Sequence, residues 1–232
     1  MTETRTTCPY CGVGCGVVAS VEGGAVSVRG DETHPANFGR LCVKGSALGE
    51  TTGLQGRLLR PVVDDVEVGW SQALGAAGER LQAIIDKWGP QAVAFYASGQ
   101  LLTEDYYVAN KLMKGFIGAA NIDTNSRLCM SSAVVGYKRA FGEDVVPCSY
   151  EDVENSDLVV LVGSNAAWTH PVLYQRLVQA KHSNPQMKVV VIDPRSTATC
   201  DIADLHLALA PGSDARLFVG LLNLIQGADE WP

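Results

Sequence analysis

The chain has 232 residues, 47% hydrophobic and 19% charged, which excludes a disordered chain and permits a buried core. No apolar run approaches the ~18 residues of a membrane span. Eighteen basic against 25 acidic residues leave a net charge of −7, the opposite of the basic footprint of a nucleic-acid surface. Neither nucleic acid nor a membrane is therefore an expected partner.

Seven cysteines are an odd and high number. Residues Met1–Thr7 have no apolar signal core and no twin arginine, so the expectation is a cytoplasmic chain with reduced thiols. Clustered cysteines in that setting suggest metal more than disulfides.

Residues 1–56 hold eleven of the 24 glycines and offer little core. Gly16–Val21 and Ala25–Arg29 alternate like short strands around a Glu22-Gly23-Gly24 turn. So small a segment calls for a staple such as a metal. The texture changes near Gln55–Pro61. Leu74, Ala77, Leu81, Ile84 and Ile85 recur at helical spacing, which predicts a helix over Trp70–Trp88 capped by Ser71. A strand is expected at Gln91–Ala97, a helix from Thr103 to about Gly118, a short strand or bend at Asn121–Thr124, and a helix over Cys129–Phe141. Asp157–Gly163 and Lys188–Asp193 read as buried strands, with a helix between them from about His170 to His182. A last helix spans Ser213–Gln226, with Ser213 or Asp214 at its cap.

Strands alternating with helices imply a mostly parallel sheet that binds ligands at the strand C-termini. Ser98-Gly99-Gln100, Ser164-Asn165 and Pro194-Arg195 follow three of these strands and are expected on one rim.

Cys8, Cys11 and Cys15 have the spacing C-x2-C-x3-C, and Cys42 follows after 26 intervening residues. Glycines at 12, 14 and 16 let the backbone fold tightly enough for the thiolates to converge. Four thiolates suit one zinc or one 4Fe-4S cluster. A tight triplet plus one remote ligand favours the cluster over zinc's two spaced pairs. Gly12-x-Gly14 is no dinucleotide motif, since no strand precedes it.

With Cys42-Val43-Lys44-Gly45 after that triplet, the chain resembles the molybdopterin-guanine-dinucleotide oxidoreductases, a family that includes formate dehydrogenases and bacterial nitrate reductases. The resemblance continues in order through Ser98-Gly99-Gln100, Thr103-Glu104-Asp105-Tyr106, Asn125-Ser126-Arg127-Leu128-Cys129-Met130-Ser131-Ser132-Ala133, Gly163-Ser164-Asn165, His170-Pro171, Asp193-Pro194-Arg195 and Pro211-Gly212-Ser213-Asp214. Formate dehydrogenases usually place histidine after the metal-binding cysteine or selenocysteine. Here Met130 follows Cys129, which resembles the cytoplasmic assimilatory nitrate reductases.

The resemblance implies a small glycine-rich, β-containing iron–sulfur domain over 1–56. An incomplete, mostly parallel α/β pterin-binding region would follow over 57–232. Family members are much longer, so it also implies that this is the N-terminal portion of an enzyme. The C-terminal domains would then be absent, with apolar surface left bare where they dock. The implied cofactors are a 4Fe-4S cluster on Cys8, Cys11, Cys15 and Cys42, and molybdenum bis(molybdopterin guanine dinucleotide) with Cys129 as the protein ligand to molybdenum. A thiolate near a helix start is favoured by the amides there; otherwise Cys129 would be a small buried hydrophobe.

Lys44 corresponds to the lysine between cluster and proximal pterin, and Gln100 and Asn125 to amides that contact cofactor. Without the family pattern these would read as a solvated lysine and two turn-capping amides. Gly163, Ser164 and Asn165 correspond to a loop around one guanine dinucleotide. Asp193, Pro194, Arg195 and Thr197 correspond to a second such loop, and Gly212, Ser213 and Asp214 to a helix start suited to an anion or a base. His170 and Arg127 lie beside these motifs, and Cys148 and Cys200 read as structural. The implied reaction reduces nitrate to nitrite, with electrons supplied by ferredoxin, flavodoxin or an NADH-linked subunit. The alternatives are a formate dehydrogenase of the same family and a non-catalytic iron–sulfur electron-transfer module.

Overall fold

The computed structural model describes residues 2–125 and 127–227, Arg127 by its backbone alone, so Ser126 and the Arg127 side chain of the expected motif lie outside the described residues. The chain divides into two units, Met1–Val145 and Val146–Pro232.

The first unit begins with an antiparallel meander of β1 (Thr2–Thr7), β2 (Gly16–Glu22) and β3 (Ala25–Gly30). Glu22 pairs with Ala25, and Gly23 and Gly24 turn the hairpin at φ 57 and 85. Positive φ at both central residues is what a two-residue hairpin favours. β1 is exposed throughout, so no apolar alternation announces it; only β2 contributes deeply buried side chains, Val17 and Val18. The loop after β3 is fixed by polar groups. Buried Asn37 accepts the Gly16 amide at 2.8 Å and donates to the Gly16 and Arg40 carbonyls at 3.1 and 2.8 Å.

α1 (Val43–Ser46) follows directly on Cys42. After the two-residue strands β4 (Val62–Val63) and β5 (Val66–Glu67), α2 spans Trp70–Trp88. Its cap is not Ser71: Gly69 takes the extended cap conformation, no side chain caps the helix, and Ser71 lies inside it. Leu81 and Ile85 pack against a core of Val93, Met113 and Ala119.

The strand expected over Gln91–Ala97 shortens to β6 (Phe95–Ala97), because Pro90 opens a 3-10 turn through Ala92 and its fixed φ suits a first helical position. α3 (Thr103–Asn110) runs on as a π-helical stretch, Lys111–Ile117, and Gly118 stops it at φ 81. β7 (Ile122–Thr124) pairs in parallel with β6, and α4 (Arg127–Phe141) follows.

The second unit contains α5 (Tyr150–Glu154), β8 (Leu158–Val162), α6 (Ala166–Thr169), α7 (Pro171–Ser183), β9 (Lys188–Ile192), β10 (Leu205–Leu207) and α8 (Asp214–Gln226). The three strands form a parallel sheet in the order β10-β9-β8. Its core is Leu177, Met187, Val189 and Val191, with Cys200 packed at the edge. Cys200 is thus structural as expected, whereas Cys148 is exposed and not a core residue. Buried Arg176 of α7 pairs with Glu154 and Glu151 and lies over the Tyr150 ring, tying α7 to α5.

The sequence suggested one sheet and one ligand rim. The structure instead has separate parallel sheets, β6-β7 and β10-β9-β8. β6 and β7 share three residue pairs. Ser98–Gln100 therefore follows a strand of one sheet, and Ser164-Asn165 and Pro194-Arg195 follow strands of the other.

Apolar faces stay bare, as expected. On β8, Val159 and Leu161 face the core while Leu158, Val160 and Val162 are exposed. α8 exposes Phe218, Val219, Leu222, Leu224 and Ile225. A continuously apolar strand suits a sheet covered on both faces.

Acid stability of the second unit depends on Asp204. Its Oδ2 accepts from the Lys181 ammonium at 2.5 Å and from the Val189 amide at 2.8 Å. These bonds, the lysine first, hold its carboxyl at about 2, below its ordinary 3.8. A depressed carboxylate stabilises the fold above its unfolded value, and the contribution is lost as pH falls through the folded value. Denaturant midpoints should drop between pH 3.8 and about 2, and Asp204→Asn should lower the neutral midpoint and flatten that acid limb.

Candidate cluster and cofactor sites

The cysteine loop closes on itself. The Cys8 amide donates to the Cys15 carbonyl at 2.8 Å, and the Gly14 amide, at φ 62, to the Cys11 carbonyl at 3.2 Å. Gly16 is required: a Cβ there would lie 2.3 Å from the His34 ring. Cys42 joins as the extended residue that caps α1. Cys8 and Cys15 are buried, Cys11 and Cys42 half-buried, and none is in a disulfide.

The four sulfurs sense one another. Burial pushes the Cys15 thiol up to about 11, and Cys8, Cys11 and Cys42 push it further the same way. Burial also raises Cys8, opposed by the Tyr10 amide, with Cys42 and Cys11 adding to the rise. Burial therefore disfavours the thiolates of Cys8 and Cys15 until a cationic group supplies the missing charge. Among the described residues no three His, Cys, Asp or Glu side chains meet the spacing of a single-ion site. A cubane instead spreads its four protein ligands over four irons. Four cysteine donors, one for each iron, fit a cluster.

Lys44 links this loop to the β6 rim. Its ammonium donates to Gln100 Oε1 at 2.5 Å and lies 5.5 Å from the Tyr10 ring centroid. A Cβ at Gly12 would lie 3.6 Å from the Leu101 carbonyl oxygen, so the cysteine loop rests against Leu101. Asn125 lies on the same rim, its Oδ1 accepting the Gly99 amide at 2.8 Å.

In the second unit, Gly163 turns out of β8 at φ 55, its amide donating to the Ile192 carbonyl at 2.8 Å. Half-buried Ser164 and Asn165 follow. Asn165 Oδ1 accepts from the hydroxyls of Thr197 and Thr199 at 3.1 and 2.9 Å. Asp193 Oδ1 accepts the Arg195 amide at 2.9 Å, closing a turn over Pro194 and leaving Arg195 exposed. Gly212 stands at φ 79, and Asp214 is the first residue of α8. Ser213 holds the cap position but caps no amide; its hydroxyl donates to the Ala210 carbonyl at 2.6 Å. His170 Nδ1 is 2.9 Å from the Thr169 hydroxyl.

Three side-chain amides are oriented alike. Ammonium and backbone N–H groups only donate, so Gln100 and Asn125 must present oxygen inward. For Asn165, the Thr199 hydroxyl accepts from the Ala167 amide at 3.2 Å and the Thr197 hydroxyl from the Thr199 amide at 3.3 Å. Both hydroxyl protons are thereby directed to Asn165 Oδ1. Each amide is left with an NH2 that makes no hydrogen bond among the described residues, a donor suited to an acceptor-rich ligand such as a pterin or a purine.

Cys129 is the third residue of α4, which starts two residues before the expected Cys129; it is exposed, in the turn whose amides lack helical acceptors. Sequence reasoning missed Tyr10 and Thr199. Tyr10 was legible only as a residue inside the cysteine triplet. Thr199 is wholly buried, and its signal was the Thr-x-Thr spacing with Thr197.

Two family profiles account for nearly the whole chain: "Molybdopterin oxidoreductase Fe4S4 domain" matches residues 1–52 and "Molybdopterin oxidoreductase" residues 57–227. The chain belongs to the molybdopterin oxidoreductase family. Within it, this chain is 83% identical over 226 residues to a nitrate reductase of Klebsiella oxytoca, covering 97% of this chain and 26% of that protein. It is 44% identical to a periplasmic nitrate reductase of Desulfovibrio desulfuricans, covering 90% of this chain and 29% of that one. Among solved structures, acetylene hydratase from Pelobacter acetylenicus superposes with a TM-score of 0.72 at 25% identity, over 96% of this chain and 31% of that one. This molybdopterin oxidoreductase chain thus spans about a quarter of the length of nitrate reductases it matches, such as the Klebsiella protein. No helix among its described residues is long and apolar enough to cross a membrane.

Proposed function

We propose that the chain is the cluster-bearing, cofactor-binding part of a nitrate reductase, with its functional boundary at residues 56/57. The reaction takes nitrate, two electrons and two protons to nitrite and water. When bound, molybdenum bis(molybdopterin guanine dinucleotide) and the 4Fe-4S cluster supply the redox chemistry.

The chain's residues bind and orient those groups. Cys8, Cys11, Cys15 and Cys42 hold the cluster, and Cys129 offers a soft thiolate to molybdenum. Lys44 places a cation between the cluster loop and the β6 rim, where Gln100 and Asn125 present amide donors to a pterin. Gly163, Ser164 and Asn165 lie against one guanine dinucleotide portion. Asp193, Pro194, Arg195 and Thr197 form a second edge, with Arg195 free to meet phosphate, and Gly212, Ser213 and Asp214 present a helix start. The observation that carries this reading is the Lys44–Gln100 bond, which joins the cysteine nest to a donor-lined rim. Likeness to the Klebsiella protein supports nitrate as substrate. Its excess over the likeness to the periplasmic relative supports a cytoplasmic enzyme. Electrons arrive from a donor such as ferredoxin, flavodoxin or an NADH-linked subunit.

Full-length enzyme assayed with reduced methyl viologen should turn over nitrate. Formate oxidation without nitrate turnover would overturn the assignment. Asn165→Asp tests the donor argument. It keeps the oxygen that the two threonines need and replaces the outward NH2 with an acceptor. The full-length variant should retain its fold by circular dichroism and bind guanine dinucleotide roughly 10–100-fold more weakly, about 1–3 kcal/mol, as expected when a charge-bearing group is left unsatisfied. Unchanged binding contradicts it.

A further inference from the structure

We propose that Tyr10 and Gln100 are positioning residues for Lys44, the ring on one side and the amide oxygen on the other fixing its ammonium between the cysteine loop and the loop after β6. The inference rests on the cluster reading above.

An exposed lysine on a flexible four-carbon stem ordinarily samples many rotamers. Lys44 is exposed, yet two unlike partners hold its head. The 5.5 Å approach to the Tyr10 centroid is within the ~6 Å reach of a cation–π contact. The 2.5 Å bond to Gln100 Oε1 spans 56 positions of sequence. Both partners are themselves anchored. Tyr10 lies between two cluster cysteines, its amide against the Cys8 thiol. Gln100 donates its backbone N–H to the Ser98 hydroxyl at 3.1 Å, and the Ser98 carbonyl accepts the Tyr106 hydroxyl of α3 at 2.6 Å. The ammonium is thus referenced to the cysteine loop on one side and to α3 on the other.

The consequence is electrostatic. A cation beside the cysteine loop favours the more negative, reduced form of the group held there, and the effect falls with distance. An ammonium released to solvent exerts less of it. The Tyr10 ring is required for this, and its hydroxyl is not.

The test is the midpoint potential of the cluster in full-length, cluster-loaded protein, followed by electron paramagnetic resonance with iron content measured alongside. Tyr10→Leu and Gln100→Leu should each lower the potential in the direction of Lys44→Met and by less than it does. Tyr10→Phe should keep the wild-type value. In a Lys44→Met background, Tyr10→Leu and Gln100→Leu should add no further shift. The proposal is overturned if both leucine variants leave the potential in place, if they shift it equally without Lys44, or if Lys44→Met itself has no effect. Wild-type protein that takes up no iron sinks the cluster reading itself. Wild-type protein with a full cluster whose potential answers to Lys44→Met alone sinks only the positioning.

Discussion

Cys129→Ser should remove nitrate turnover from the full-length enzyme by more than the roughly 10–100-fold that outer-shell changes around a metal typically cost. The substitution trades a soft thiolate for a harder, more basic oxygen without changing shape. Cys129 sits in the first turn of α4 and is exposed, so its loss leaves no cavity in either core. Thermal stability and iron content should therefore stay at wild-type values while molybdenum content or its spectroscopic signature changes. Undiminished turnover would show that molybdenum is held without this sulfur.

Cys15→Ala should abolish cluster binding and with it the order of the first fifty or so residues. Buried apolar side chains there are few: Cys8, Cys15, Val17 and Val18. The strands beside them are short, and β1 buries nothing. A segment so poor in core depends on its staple. Structural zinc contributes about 10–16 kcal/mol in small domains, and a cluster on four thiolates is expected to matter comparably. Limited proteolysis should cut the variant rapidly within residues 1–52, with iron below one atom per chain. A variant that resists protease and keeps its iron contradicts the staple argument.

Much of this was legible in the sequence where a local rule had no competitor. The helix over Trp70–Trp88 was read to the residue because its apolar spacing is regular. The Glu22–Ala25 turn followed from two adjacent glycines. Errors arose where backbone conformation chose among adjacent residues. Gly69 rather than Ser71 capped a helix, and Pro90 took the start of a strand into a 3-10 turn. The single sheet failed for a longer-range reason: strand pairing is set by which edges meet, and nothing in Phe95–Ala97 says it will pair only with Ile122–Thr124.

The site shows the same division. Cysteine spacing announced the nest, and residue types announced amide donors. The direction each amide faces came from partners far away in sequence, Lys44 for Gln100 and Thr199 for Asn165. Tyr10 escaped notice because an aromatic between two cysteines carries no pattern until Lys44 is seen beside it.

The most direct measurement of the central claim is the iron and acid-labile sulfide content of this protein after anaerobic isolation or reconstitution. Four of each per chain, lost together on replacing any one of Cys8, Cys11, Cys15 or Cys42, is the predicted result. Colourless protein without iron, or a single zinc bound by the same four sulfurs, would contradict it.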